Sequence, residues 1–126
     1  MNKKGLTLIE LLIVMVIVAI LGAIAIPMYT GYMTRARRAD AKTALEQLRA
    51  AEEMRRAEYG AYSGDLAALG TSWGAPAVNQ RHYTISLVAS STTFTGTATP
   101  TGAQVVDGAL TINQDGTKLP DEKWVK

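Results

Sequence analysis

The chain has 126 residues, 48% of them hydrophobic and 19% charged, with a formal net charge of +2. That length suits one modest domain. With no cysteine and one histidine, His82, the composition excludes disulfides, thiolate metal sites, cysteine nucleophiles and polyhistidine zinc sites. A Ser–His hydrolase would rest on His82 alone, so an enzyme is a poor starting point, and no catalytic, metal or cofactor residue is assigned. Both units of net charge come from Lys3 and Lys4, because residues 6–126 carry eleven basic and eleven acidic side chains. The body of the chain therefore has no polyanion-binding signature.

The first predicted element dominates the sequence. From Leu6 to Met28 every residue is apolar except Thr7, Glu10, Gly22 and Pro27. As a helix, Leu6 to Ile26 spans roughly 30 Å, about one bilayer hydrocarbon core. A basic pair before an apolar run also describes a cleaved secretory signal. Against that, the run exceeds the usual signal core, and Ala23-Ile24-Ala25 is followed by more apolar residues. Lys3 and Lys4 on one flank face Arg35, Arg37 and Arg38 on the other, so positive charge does not settle orientation.

Glu10 is the informative exception. A carboxylate inside an apolar helix marks a pairing or functional site unless it is solvated near headgroups or protonated. A cut after Gly5 would create an α-amine at Leu6, one turn from Glu10 or within reach of Glu10 on a neighbouring rod. Such a buried pair can fix register between parallel helices. Gly22 and Pro27 are candidate helix breaks, costing about 1 and about 3 kcal/mol relative to alanine.

These residues, KKG followed by LTLIELLIVMVIVAILGAIAIP, resemble the class III leader and N-terminal helix of type IV pilins and related pseudopilins. The resemblance implies a leader over residues 1–5, cleavage by a prepilin peptidase between Gly5 and Leu6, and N-methylation of Leu6. It implies that Glu10 serves subunit docking, and that the stretch around Gly22 and Pro27 unwinds when the rod leaves lipid. Leu6 departs from the phenylalanine usual after the cut.

Residues 29–62 continue the helix in amphipathic form. Tyr29 and Tyr32 suit a membrane–water boundary. Ala41, Ala44, Leu45, Leu48 and Ala51 form one apolar stripe, rejoined by Tyr59 and Tyr62. The remaining faces carry mixed charges, Glu52 among them, with i,i+4 pairs such as Glu52–Arg56 expected. The cluster Arg35, Arg37 and Arg38 has no wider basic stripe around it, which argues against nucleic acid as a partner. Gly60 and Gly64 are stop signals.

Residues 63–126 are expected to form a loop and an antiparallel β head. TSWGAPAVN reads as loop. HYTISLVA, TTFTGTAT and GALTINQ read as strands, with turns at Ser90-Ser91 and Asp115-Gly116. The predicted fold class is α+β: a long N-terminal helix, half membrane-spanning and half amphipathic, packed on a small antiparallel sheet of three or four strands. Many pilins close their C-terminal region with a disulfide, and this chain has no cysteine. Burial of Leu119, Trp124 and Val125, turn hydrogen bonds or a metal must replace it. Asp107, Asn113, Asp115, Asp121 and Glu122 offer oxygen donors, but their spacing matches no calcium loop.

The resemblance implies a structural subunit of a type IV pilus, made in the bacterial inner membrane and exported into an extracellular pilus for adhesion, twitching motility or related surface work. Its implied partners are membrane lipid before assembly, prepilin peptidase, the inner-membrane pilus assembly machinery and further copies in a helical filament. The alternatives are a minor pilin, a type II secretion pseudopilin, or a membrane-anchored binding domain that never polymerises.

Overall fold

A computed structural model describes residues 5–125; Lys3, Lys4 and most of the expected leader lie outside the described residues. The element order is α1 (Leu8–Tyr59), α2 (Leu66–Trp73), β1 (Tyr83–Ala89), β2 (Phe94–Pro100), a 3₁₀ helix (Gly102–Asp107), β3 (Leu110–Asn113), β4 (Lys118–Leu119) and α3 (Asp121–Val125). The chain divides into two compact units between Met33 and Thr34, with α1 contributing to both.

In the second unit, the stripe Ala41, Ala44, Leu45, Leu48 and Ala51 forms one side of the core. The other side comes from Leu66 and Leu69 of α2 and from Tyr83, Ile85, Ala98, Leu110 and Ile112 of the sheet. The four strands pair in the order β1-β2-β3-β4, all antiparallel. Strand β2 shows the expected period of two: Phe94, Gly96, Ala98 and Pro100 are buried between outward threonines. Gly96 lies beneath the helix, where an added Cβ would stand 2.5 Å from Leu48 Cδ2. A methyl at this position would have to displace the buried Leu48 side chain.

Several boundaries differ from expectation. Helix α1 ends at Tyr59 rather than Tyr62, because Gly60 adopts φ 77° and caps it with its N–H on the Arg56 carbonyl. Tyr59 is exposed, and Tyr62 reaches the interior from the loop, edge-on to Phe94 at 4.9 Å. Residues 66–73, expected as turn and loop, form α2. That helix starts where Asp65 Oδ1 accepts the Ala67 and Ala68 N–H groups at 3.0 and 3.2 Å. Glu52 is fully buried rather than solvated. It follows Leu48 by one turn, so the apolar stripe carries it inward, while Arg56 donates to the Tyr62 hydroxyl at 2.8 Å.

Candidate functional site

The site predicted from sequence lies at the start of α1. Gly5, Leu6 and Thr7 precede the helix and are exposed, so the Gly5–Leu6 bond sits in irregular, accessible backbone. Helix α1 opens with a capping box. The Thr7 N–H and hydroxyl donate to Glu10 Oε2 at 2.9 and 3.0 Å, and the Glu10 N–H donates to Thr7 Oγ1 at 3.3 Å. Glu10 therefore has a local role, satisfying helix-terminal donors that lipid would leave without water. Both carboxylate bonds fall on Oε2, leaving Oε1 for another donor. The pattern T-x-x-E before an apolar run was the available signal for this box.

Sixteen large apolar side chains from Leu6 to Met28 are each more than half exposed, and the helix is long and apolar enough to cross a membrane. Gly22 and Pro27 sit inside this stretch, yet α1 continues through both positions without interruption. A proline deletes one backbone hydrogen bond and leaves its neighbours intact. The Thr30 hydroxyl also donates to the Pro27 carbonyl at 2.9 Å. The expected break is therefore not an end of the element in this state of the chain.

A second polar constellation, missed from sequence, lies in the head. Arg38 Nε donates to Asp107 Oδ2 at 2.8 Å and its second nitrogen to Oδ1, a bidentate pair largely shielded from water. The Tyr83 hydroxyl donates to Asp107 Oδ2 at 3.2 Å. Gln104 Nε2 donates to the Thr34 carbonyl and to the Tyr83 hydroxyl, both at 2.9 Å. Burial disfavours the charged Asp107 carboxylate, but the Arg38 hydrogen bonds and charge outweigh it and hold the carboxyl below its usual range. Burial pushes the Tyr83 phenol up to about 12.

Lys42 Nζ donates to the Trp124 carbonyl at 3.2 Å, and Lys118 pairs with Glu46. These contacts tie residues 104–124 to α1 and do the work expected of apolar burial. Leu119 and Val125 are in fact exposed, at 52% and 85%, because β4 and α3 are too short to cover them. Trp124 alone of the three packs partly on the core. Of the candidate oxygen donors, Asp107 faces Arg38, and Asn113 Oδ1 accepts the Asp115 and Thr117 N–H groups of the turn. Among the described residues no group of three or more His, Cys, Asp or Glu is placed to hold a metal.

Comparison with known proteins agrees with this anatomy. Residues 1–26 match the prokaryotic N-terminal methylation motif, and residues 27–111 match the family described as type IV minor pilin ComP, DNA uptake sequence receptor. The chain is 36% identical to the fimbrial protein EcpC of Eikenella corrodens over 99 residues, 79% of this chain and 62% of that protein. It is 42% identical to the type IV major pilin protein PilA of Myxococcus xanthus over 62 residues, 49% of this chain and 28% of that protein. The match thus spans less than two thirds of either relative.

Among solved structures, a type IV pilin from Shewanella oneidensis shares the fold with a TM-score of 0.56 at 24% identity, over 70% of this chain and 92% of that one. The Neisseria meningitidis non-core minor pilin PilV gives 0.55 at 22% identity, over 69% and 85%. With an apolar helix opening on a methylation motif and a head matched over residues 27–111, the chain belongs to the type IV pilins, structural proteins rather than enzymes.

Proposed function

We propose that this pilin is held in the inner membrane by residues 6–28, cut after Gly5 and methylated at Leu6 by a prepilin peptidase, and polymerised into a pilus by packing of α1 against other copies. The observation that carries the proposal is the run of sixteen exposed apolar side chains interrupted by a single carboxylate, Glu10. Lipid covers such a surface before assembly, and other α1 helices cover it afterwards. Glu10 keeps its capping box and offers Oε1 to the Leu6 amine of a neighbour, so docking need not uncap the helix. The intact mass and N-terminus of protein sheared from cells test the reading. The expected species begins at methylated Leu6. Retention of Met1 or Lys3 in extracellular material would overturn it.

A minor-subunit role is the second reading, favoured by the family match over residues 27–111. Counting copies of the chain per sheared filament separates the two: a trace component supports the minor role, and the bulk component supports the major one. That family's description names a DNA receptor, but in this head Arg38, Lys42 and Lys118 are engaged by Asp107, the Trp124 carbonyl and Glu46. With eleven basic and eleven acidic side chains over residues 6–126, the body of the chain has no net charge to favour a polyanion, and nucleic acid is not part of the proposal.

A further inference from the structure

The 3₁₀ helix Gly102–Asp107 presents two adjacent valines to solvent, Val105 at 58% and Val106 at 87% exposure. Two buried side chains of the same element, Gln104 and Asp107, fix its place through the Thr34 carbonyl and Arg38. Both anchors lie on α1 within ten residues of Met28, the last residue of the apolar run.

Cations lie on the elements next to the 3₁₀ helix. Arg35 is exposed and precedes Arg38 by three residues, so it shares the helical face that meets the 3₁₀ helix. Lys123 Nζ lies close to Gly108, immediately after the 3₁₀ helix. Asp121 and Glu122 of α3 are exposed nearby in sequence and oppose an anionic surface, so the apolar contact has to carry part of the attraction. A lone exposed valine would need no explanation. Paired valines on a clasped turn, with cations on the adjoining elements and a tether to a membrane-length apolar helix, have the make-up of an interfacial contact.

We propose that Val105 and Val106 dock at the headgroup–acyl boundary of an anionic bilayer, with Arg35 on a lipid phosphate, and so hold the head on the membrane before assembly. This rests on the bilayer span proposed for residues 6–28. Because the head is covalently tethered to the span, docking is intramolecular and a small apolar area suffices. Extraction of a subunit then has to release the head as well as the helix.

The absence of native cysteine makes the test direct. The full chain carrying Val106→Cys is labelled with an environment-sensitive fluorophore and reconstituted sparsely into phosphatidylethanolamine–phosphatidylglycerol vesicles containing shallow lipid-borne quencher. Quenching at position 106 is expected to exceed, by at least twofold, that of the same label at Val88→Cys, which is exposed on β1. Adding Arg35→Gln should shrink this difference in anionic vesicles and leave it unchanged in phosphatidylcholine. A label at Ile17→Cys with deep quencher reports the span itself. Strong quenching at 17 with equal quenching at 106 and 88 overturns the docking alone. No quenching at 17 overturns both proposals. A blue shift at 106 that rises with protein-to-lipid ratio, without lipid quenching, assigns the valines to a second copy and overturns the lipid assignment.

Discussion

Two buried carboxyls in the head respond to pH in opposite senses. Glu52 Oε2 accepts the Ser63 N–H at 2.9 Å, while the buried Oε1 has no hydrogen-bond partner among the described residues. Burial raises its carboxyl above the usual range; the Ser63 bond and Arg55 oppose this, Glu53 adds to it, and β1 and β2 bring no carboxylate or cation. A raised folded value means that its contribution to stability is complete below the unfolded carboxyl value of about 4.3 and is lost as pH rises through the folded value. Glu52→Gln should therefore stabilise the chain by about 1 kcal/mol more at pH 8 than at pH 5. Denaturant titrations in detergent at the two pH values check this, and equal gains would show that Glu52 does not titrate in that window. Asp107 is the reverse case, since Arg38 holds its carboxyl low. Its contribution is present above the unfolded value of about 3.9 and is lost as pH falls through the folded one. Asp107→Asn leaves the largely shielded Arg38 without its counter-ion and should cost about 3 kcal/mol at pH 7. A loss below about 0.5 kcal/mol, the usual limit for surface changes, would place the pair on the surface energetically.

At the scale of elements, α1 packs tightly on β2 at Gly96. Gly96→Ala sets a methyl 2.5 Å from Leu48 Cδ2 and 3.5 Å from Leu45 and Ile112, all buried, so the side chains have little room to yield. A loss of about 1–3 kcal/mol is expected, measured as a lower denaturant midpoint with unchanged slope; an unchanged midpoint would mean that the helix lifts freely from the sheet. The elements that pack this way were those most legible in the sequence. The stripe Ala41, Ala44, Leu45, Leu48 and Ala51 repeats at helical spacing, and β2 alternates residue by residue, because each shows one face to the core. Helix α2 was hidden because eight residues form a marginal helix by themselves and packing decides, although Asp65 ahead of LAALG is a readable cap. Glu52 was misplaced because its charge outweighed its position one turn after Leu48. Arg38 and Asp107 are 69 residues apart, and no local pattern joins them. Glu10 stood out in the sequence as the one charged residue of the apolar run, while its bond to Thr7 went unread.

For the molecule as a whole, the proposed assembly gives one residue two environments. In the isolated chain Glu10 closes the capping box with Thr7; in a filament it is proposed to meet a neighbour's Leu6 amine. Glu10→Ala should leave membrane insertion intact, since a carboxylate within the apolar helix opposes insertion by a few kcal/mol. Leader cleavage should survive too, because the exposed Gly5–Leu6 bond lies outside the helix. Assembly should fail, because the incoming amine would be buried without a partner. Deleting one member of a buried pair costs about 3–5 kcal/mol, more than a hundredfold in association constant. Thr7→Ala separates the two roles: it removes both side-chain hydroxyl bonds of the box but keeps the carboxylate, so it should cost about 1 kcal/mol of helix capping and retain most assembly. Glu10→Asp keeps the charge but shortens its reach, and intermediate filament yield is expected. Sheared filaments and membrane-bound subunit are quantified for all three variants. Wild-type filament yield from Glu10→Ala would show that the carboxylate is not the docking element. Loss of filaments from Thr7→Ala as complete as from Glu10→Ala would show that the capped helix end, rather than an intersubunit pair, is what assembly requires.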